Sequence, residues 1–190
     1  NLKKFYGKPL IYYAINAAKK SKIFNKIHVS SDSLKILNYT EKLKIETDFI
    51  RPKYLSNDFI GIHEVLKYVV HKYKKLNYNF DEIWLLYPTN PFVSSFKIKE
   101  CKNKFNKIKF KPENSLITVT NYNYPIKWAQ KINSKNLLTP ISKNNLKIRS
   151  QDIDNEFCDA GMINIYSKKI FDKNLKRKYF AFQIPIYSSV

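Results

Sequence analysis

The strongest constraint on the fold is the run Glu-Ile-Trp-Leu-Leu-Tyr at residues 82–87. Apolar side chains at nearly every position, rather than at alternate ones, are typical of a central strand that is covered on both faces. Further strand-like segments lie at residues 26–30, 47–50, 115–120, 162–166 and 180–186. Helical patterns separate the earlier ones, at residues 9–20, 33–42, 63–73 and 95–105. Because strands that alternate with helices join through right-handed crossovers, the sequence predicts an α/β fold with a mostly parallel sheet flanked by helices.

The 190 residues fit one domain, which we expect to span residues 1–190 with an irregular excursion at residues 122–161. No run of about 18 apolar residues is present, and the first residues carry no apolar signal core. Two cysteines form no disulfide framework, which fits a reducing compartment. These features predict a cytoplasmic protein without a membrane partner. The chain begins with Asn rather than Met, so we expect a fragment truncated at both ends.

The charge of the chain raises the possibility of a polyanionic partner. There are 35 Lys and Arg residues against 15 Asp and Glu residues, a formal net charge of +20. Only 3 of the basic residues are Arg, the residue that bidentate recognition of bases and phosphates favours. The lysines are also dispersed instead of forming one block. We therefore predict a solvated basic surface and no nucleic-acid partner, with a basic nucleic-acid-binding domain as the alternative.

Ligands in such sheets bind outside the carboxyl ends of the strands. This rule predicts that the working residues lie in the segments that follow strands, at residues 30–32, 51–64, 87–92 and 120–127. In the segment Tyr-Pro-Thr-Asn-Pro-Phe at residues 87–92, two prolines predict a rigid loop that presents the Thr89 hydroxyl and the Asn90 amide to a ligand. The scarce arginines Arg51 and Arg149 offer forked, charged donors for a phosphate or a carboxylate, or else form surface ion pairs.

Other chemistry-bearing residues leave alternatives open. Gly7, Gly61 and Gly161 are scarce glycines, so each predicts a positive φ or a close backbone approach, or an ordinary turn. No glycine-rich phosphate loop or dinucleotide fingerprint is present. The acidic cluster at residues 152–159 could bind Mg²⁺ through carboxylate oxygens, or could cap a helix and pair with lysines. The histidines and cysteines lack the spacing of a zinc site or of a cysteine nucleophile.

Six segments, taken in order, resemble one family. They are Asn-Leu-Lys-Lys-Phe-Tyr-Gly-Lys-Pro-Leu at 1–10, His-Val-Ser-Ser-Asp at 28–32, Arg-Pro at 51–52 followed by Leu55 and Asp58, the proline-flanked loop at 87–92, Arg-Ser-Gln-Asp at 149–152 and Asp-Ala-Gly at 159–161. This ordered set spans nearly the whole chain. It resembles the acylneuraminate cytidylyltransferases, which are CMP-sialic acid synthetases, and is closest to their pseudaminic acid branch.

The resemblance implies a nucleotide-diphosphosugar-transferase-like fold. It also implies an enzyme that transfers CMP from CTP to the anomeric hydroxyl of a nine-carbon sialic-acid-like sugar, with pseudaminic acid favoured, and that releases pyrophosphate. The family further implies Mg²⁺ as cofactor, CTP and a nonulosonic acid as partners, a role in glycan biosynthesis, and a homodimer formed through residues 122–161. Chemistry of this kind depends on in-line positioning and charge neutralisation more than on covalent catalysis.

The family's functional positions transfer residue by residue. Those that match the nucleotide side are Asn1, Arg51, Asp58 and Gly61. Those that match the sugar side are Tyr87, Lys127, Arg149, Gln151 and Asp159. The resemblance assigns no catalytic residue and no metal ligand within the chain.

The sequence also departs from the family. The family's glycine-rich triphosphate loop is expected before residue 1, and its paired metal-binding aspartates after residue 190. Isoleucine replaces threonine at positions 60 and 62, His63 replaces an acid, and Asn164 replaces an aromatic residue. Two alternatives therefore remain open: a nucleotidyltransferase for legionaminic or N-acetylneuraminic acid, and a non-catalytic nucleotide-binding relative.

Overall fold

The computed structural model describes residues 1–142 and 148–189, so residues 143–147 of the predicted excursion and residue 190 lie outside the described residues. The helices are α1 (Leu10–Ser21), α2 (Leu34–Lys42), α3 (Ile62–Lys75), α4 (Ser95–Ile108) and α5 (Lys168–Asp172). The strands are β1 (Lys4–Phe5), β2 (Lys8–Pro9), β3 (Glu82–Leu86), β4 (Asn114–Asn121), β5 (Gln130–Ile132), β6 (Leu138–Pro140), β7 (Phe157–Ser167) and β8 (Lys178–Gln183). None of the helices in these ranges combines the length and the apolar character that crossing a membrane requires.

The central sheet has the strand order β3-β7-β4-β8. Strand β7 runs antiparallel to both β3 and β4, whereas β4 and β8 are parallel. The α/β class and the flanking helices are confirmed, whereas the described sheet is mixed rather than mostly parallel, with two antiparallel pairings and one parallel pairing. Its antiparallel part arises because the irregular excursion joins β4 to β7, and an antiparallel return needs no crossover helix.

Residues 26–30 and 47–50 are not strands in the structure, and their prediction as strands was wrong. A strand needs a ladder partner, and residues 26–30 instead line a cleft of about 1660 Å³ that Ile83 and Leu85 of β3 also line. Within the described ranges, β3 pairs on one edge only, with β7. Side-chain packing holds the two segments instead. Ile27 and Val29 lie against the buried side chains of Ile11 and Ile15 in α1. The Phe49 ring packs on His28 and on Tyr73 of α3, with centroids 4.4 Å and 5.2 Å apart.

Helices cover both faces of the sheet. On one face, α1 and α4 bury a core with Phe105, Ile98 and Cys101 at 0% exposure against Leu116 of β4 and Ile165 of β7. On the other face, α3 and α5 pack against β7 through the buried side chains of Leu66, Ile170 and Tyr166. Helix α4 begins at a capped terminus, since the Ser94 hydroxyl accepts a hydrogen bond from the backbone N–H of Lys97.

The prediction of a positive φ has different outcomes at the three glycines. Gly7 (φ 76°) lies in the turn between β1 and β2, and Gly161 (φ 58°) lies in β7, so positive φ is confirmed for both. The same prediction was wrong for Gly61, which has a φ of −67° and no heavy atom within 4 Å of the point that a Cβ would occupy. Gly61 instead occupies the N-cap of α3, a position where Gly is accepted because it leaves the first turn accessible.

A polar network around Asp48 joins the two irregular segments to α3. The carboxylate accepts hydrogen bonds from the Lys26 ammonium at 2.8 Å and from the Tyr73 hydroxyl at 2.6 Å, and it lies 3.9 Å from Nδ1 of His28. Burial raises the pKa of Asp48, but the hydrogen bonds from Lys26 and Tyr73 outweigh it and leave that pKa below its ordinary value. The His28 ring stacks on Phe49 with centroids 4.4 Å apart, so the network also fixes the segment that leads to Arg51.

This network predicts a loss of stability in mild acid. Burial, opposed by Asp48, lowers the pKa of His28 from 6.5 to about 4. The unfolded chain therefore binds a proton at His28 between these two values while the folded chain does not, so the free energy of unfolding falls as the pH is lowered from about 6.5 to about 4. At about 1.4 kcal/mol per pKa unit, we expect a loss of about 2 kcal/mol between pH 7 and pH 5, measured by urea unfolding.

The matched controls are His28→Gln, which removes this titration, and His71→Gln at an exposed position of α3. The first variant should lose much less stability than the parent between pH 7 and pH 5, and the second should behave as the parent. Equal losses in the parent and in His28→Gln would contradict the assignment.

Candidate functional site

Arg51 lies at the centre of the predicted nucleotide side. Its backbone N–H donates to the carbonyl of Ser31 at 2.9 Å, and its Nε donates to Oγ of Ser56 at 2.9 Å. The guanidinium also lies 3.6 Å from a carboxylate oxygen of Asp32. These contacts bring the predicted segments at residues 30–32 and 51–64 together. They hold the guanidinium by Nε and by one terminal nitrogen, which leaves other N–H donors of the fork for an anion.

The other residues predicted for the nucleotide side are Asn1, Asp58 and Gly61. Asn1 and Arg51 both line the cleft, and the carbonyl of Asn1 accepts a hydrogen bond from the backbone N–H of Ile11 at 3.1 Å. Asp58 is exposed in the loop that leads to α3, and Gly61 is the residue before that helix. The structure thus brings Asn1 and Arg51 to one cleft, and the binding roles of all four positions stay predictions.

On the predicted sugar side, Tyr87 and Asp159 lie close together. The backbone N–H of Tyr87 donates to the carbonyl of Met162 at 3.1 Å, and the Tyr87 hydroxyl accepts from Nδ2 of Asn164 at 3.4 Å. Burial, reinforced by the negative charge of Asp159, raises the pKa of Tyr87. Tyr87 is therefore a neutral phenol at physiological pH. Asp159 is held in place because its carboxylate accepts from the N–H of Gly161 at 2.9 Å.

The remaining sugar-side residues lie on the excursion. Lys127 belongs to the 3₁₀ helix Ile126–Trp128, and the Trp128 indole donates to the carbonyl of Ile148 at 3.0 Å. This contact places the segment of Lys127 beside the segment that begins with Arg149. Arg149 and Gln151 have exposed side chains. Among the described residues, no hydrogen bond or ion pair links Lys127, Arg149 or Gln151 to Tyr87. The sugar-side residues therefore form two groups. Tyr87 and Asp159 make up one group, and the segments of Lys127 and of Arg149 and Gln151 make up the other.

The Asn90 amide is not presented to a ligand, and that expectation was wrong. Asn90 is 0% exposed. Its Nδ2 donates to the carbonyl of Ser188 at 2.9 Å, and its Oδ1 accepts from the N–H of Phe92 at 3.0 Å. The amide thus anchors the segment after β8 to the proline-flanked loop. Thr89 is exposed, so a hydroxyl contact with a ligand stays a prediction.

We expect Asn90→Ala to destabilise the fold by about 2 kcal/mol, because it removes a buried amide and leaves the N–H of Phe92 and the carbonyl of Ser188 without this partner. Thr89→Ala, at the neighbouring exposed position, should change the free energy of unfolding by less than about 0.5 kcal/mol. Chemical denaturation of both variants and the parent measures the difference. Equal effects of the two substitutions would show that the buried amide does not anchor this loop.

Two residues near the site were recognised in the sequence only as departures from the family. Asn164 contacts the hydroxyl of Tyr87, and Nε2 of His63 lies 3.3 Å from the hydroxyl of Tyr179 in β8. The His63 ring also meets Tyr166 of β7 edge to face, with centroids 5.7 Å apart. The signal that could have identified Asn164 is a polar residue in the middle of the apolar strand at residues 162–166.

The described residues do not by themselves form a magnesium site. In these ranges, no three His, Cys, Asp or Glu side chains are placed to hold a metal ion together. Within the acidic cluster, the Glu156 carboxylate accepts from the N–H of Ile126 at 2.8 Å, and Asp159 is engaged with Gly161. The cysteines are free thiols, and burial raises the pKa of Cys101 to about 12, so this thiol is not activated as a nucleophile.

Solved structures with this fold define its class. The chain superposes with a TM-score of 0.66 on CMP:2-keto-3-deoxy-manno-octonic acid synthetase complexed with CTP, at 13% identity, covering 97% of this chain and 82% of that one. It superposes with a TM-score of 0.54 on 4-diphosphocytidyl-2C-methyl-D-erythritol synthase from Anaerococcus prevotii, at 12% identity, covering 98% and 84%. The fold is therefore that of the α/β nucleotidyltransferases.

Sequence comparison narrows the class to one family. A family model described as "Cytidylyltransferase" matches residues 1–188. The pseudaminic acid cytidylyltransferase of Campylobacter jejuni subsp. jejuni serotype O:2 is 32% identical over 163 residues, which cover 85% of this chain and 68% of that protein. The CMP-N,N'-diacetyllegionaminic acid synthase of Legionella pneumophila is 28% identical over 141 residues, covering 74% and 59%. The chain belongs to the cytidylyltransferase family and is a nucleotidyltransferase enzyme, as the resemblance predicted.

Proposed function

We propose that this cytidylyltransferase transfers CMP from CTP to a nonulosonic acid, with pseudaminic acid as the favoured substrate. In this reaction the anomeric oxygen of the sugar acid forms a bond to the α-phosphorus of CTP. The bond from that phosphorus to the oxygen that bridges to the pyrophosphate breaks, and pyrophosphate leaves. The observation that carries the proposal is the 32% identity to the Campylobacter enzyme over 85% of the chain.

The geometry supports two groups of residues, one that binds the nucleotide and one that binds the sugar acid. Arg51, held by Ser31 and Ser56, would bind the anionic nucleotide on one side, with Asn1, Asp58 and Gly61 around it. On the other side, Lys127 and Arg149 supply positive charge for the carboxylate of the sugar acid. Tyr87, Gln151 and Asp159 supply polar contacts for its other groups. Since both substrates are anions, the net charge of +20 also favours their capture.

Pyrophosphate release tests the proposal directly. The protein is given CTP and Mg²⁺, the cofactor that the resemblance implies, with pseudaminic, legionaminic or N-acetylneuraminic acid in parallel reactions. Release that requires both CTP and pseudaminic acid is the expected result. Release with legionaminic acid alone would reassign the substrate, and no release with any sugar from folded protein would favour the non-catalytic alternative.

We also propose that the whole chain forms one nucleotidyltransferase domain that dimerises through the excursion at residues 122–161. Support comes from the hairpin of β5 and β6, where Ile132 (68%), Leu137 (59%) and Leu138 (62%) are largely exposed. Exposed apolar side chains in a contiguous group favour an interface. Sedimentation equilibrium should give a dimer for the parent and a monomer for Leu138→Asp, and identical masses would contradict the proposal.

We expect no nucleic-acid partner. A basic surface that served nucleic acid would give an affinity for oligonucleotides that falls steeply with salt. The expected result is no binding of single- or double-stranded oligonucleotides at moderate salt.

A further inference from the structure

Asn164 occupies an unusual place for an amide. It lies in the middle of β7, is 3% exposed, and stands in register between Leu85 of β3 and Ile117 of β4. Burying a primary amide in an apolar sheet is costly unless the amide forms hydrogen bonds. Its Nδ2 donates to the Tyr87 hydroxyl, while its Oδ1 has no partner among the described residues. The contact with Tyr87 is therefore one interaction that favours an amide at this position, and Asn164 also acts on the hydroxyl of Tyr166.

The direction of that hydrogen bond decides what Tyr87 offers to a ligand. A phenol has one hydrogen to donate and lone pairs to accept with. Because the Tyr87 oxygen accepts from the Asn164 amide, its own hydrogen remains available. The 3.4 Å separation is long for a hydrogen bond, so the contact with Asn164 is weak. It orients the Tyr87 hydroxyl only loosely, and the hydroxyl can still turn toward a ligand.

The surroundings of Asn164 are polar, and the negative charge of Asp159 lies close to its partner Tyr87. The neighbouring Tyr166 is buried at 1% exposure, and the hydroxyl of Tyr179 engages His63 at 3.3 Å. Burial lowers the pKa of His63, and the nearby Arg177 lowers it further, so the imidazole is neutral at physiological pH. Because the Asp159 carboxylate would repel a second carboxylate beside Tyr87, a hydroxyl or an amide carbonyl of a ligand fits there better. A ligand carboxylate fits the cationic side chains of Lys127 and Arg149 instead.

We propose that Asn164 is a positioning residue that holds the Tyr87 hydroxyl as a hydrogen-bond donor toward a neutral oxygen of the sugar, either a hydroxyl or an acetamido carbonyl. The inference rests on the proposed function for the identity of the ligand as a sugar acid. It assigns to Asn164 an effect on sugar binding that is exerted through Tyr87 and does not extend to CTP.

The test compares steady-state kinetics of pyrophosphate release for the parent, Tyr87→Phe, Asn164→Leu and Asn164→Asp. Tyr87→Phe retains the ring and loses the donor, so the KM for the sugar should rise about three- to tenfold, which is the upper part of the usual range for one hydrogen bond between neutral groups. Asn164→Leu should give a similar rise. Asn164→Asp keeps the shape but accepts at Tyr87 instead of donating, so it captures the phenol hydrogen and should be at least as damaging. In each variant the KM for CTP should stay within about twofold of the parent.

The double variant Tyr87→Phe/Asn164→Leu and a matched control distinguish a purely structural role of Asn164 from an effect exerted through Tyr87. If Asn164 acts through Tyr87, then Asn164→Leu adds nothing to the sugar KM of Tyr87→Phe, whereas independent effects would multiply. Asn103→Leu, at an exposed position of α4, should leave both KM values unchanged. Thermal melting verifies that each variant is folded. If Asn164→Leu does not fold, the isosteric Asn164→Asp tests the contact with Tyr87, and Tyr87→Phe tests the donor that the proposal requires.

An unchanged sugar KM in Tyr87→Phe, or a multiplied effect in the double variant, would overturn the proposal. Failure of the proposed function has a different signature, because the parent itself would release no pyrophosphate with any of the three sugars. In that case calorimetric titration of the parent and Tyr87→Phe with each sugar acid gives the decision, and equal affinities or no binding by the parent would also overturn it.

Discussion

Replacement of Arg51 by Ala should raise the KM for CTP about 10- to 100-fold and leave the KM for the sugar within about twofold. The physical reason is the loss of a charged donor, since hydrogen bonds to charged groups contribute about 1.5–3 kcal/mol and 1.4 kcal/mol corresponds to a factor of ten. Arg149→Ala should have the converse effect, with a raised sugar KM and an unchanged CTP KM. Pyrophosphate release at varied CTP and at varied sugar measures both constants.

Two further variants sharpen the assignment of Arg51. Ser56→Ala removes the hydroxyl that holds Nε of Arg51 while retaining the charge, so it should raise the KM for CTP by only a few fold. Lys173→Ala removes a positive charge at the exposed C-terminal end of α5, so it controls for the net charge and should change neither constant. If Arg51→Ala and Lys173→Ala had the same effect, long-range charge rather than a local contact would explain the result.

The largest effect on stability is expected at Phe105. This side chain is 0% exposed in α4 and packs in the core shared with α1, β4 and β7. Phe105→Ala should lower the free energy of unfolding by about 3–5 kcal/mol, because it removes the apolar contacts and leaves a cavity that the close-packed core fills only in part. Urea unfolding followed by circular dichroism measures the change.

A matched control is available on the segment that follows the same helix. Phe110 is 74% exposed, so Phe110→Ala should cost less than about 0.5 kcal/mol. Since a loss of 5 kcal/mol approaches the whole stability of many domains, Phe105→Leu provides an intermediate variant that remains folded and should cost about 1–2 kcal/mol. Similar losses in Phe105→Ala and Phe110→Ala would contradict the core assignment of α4.

The helices were predictable because their signals are local. The apolar spacing in residues 63–73 and 95–105 corresponds to α3 and α4, each of which continues two or three residues beyond the predicted end. The apolar run at 82–87 likewise identified β3. Strands at residues 26–30 and 47–50 were predicted wrongly for the opposite reason. A strand is defined by its neighbour, and a segment with strand-like composition remains irregular when no strand pairs with it, as for residues 26–30, which line the cleft.

The ordered motifs of the sequence alone indicated the family and the candidate residues for the nucleotide and the sugar, and the alternation of strands and helices indicated the α/β class. These features could be predicted because they depend on residue types at neighbouring positions in the chain. Tertiary structure decided which contacts those residues make. It showed that Asn90 is a buried anchor, that Ser56 and Asp32 hold Arg51, and that Asn164 contacts Tyr87, residues that are 77 positions apart in the chain. Such contacts depend on which strands become neighbours, and that is set by packing of the whole sheet between its helices.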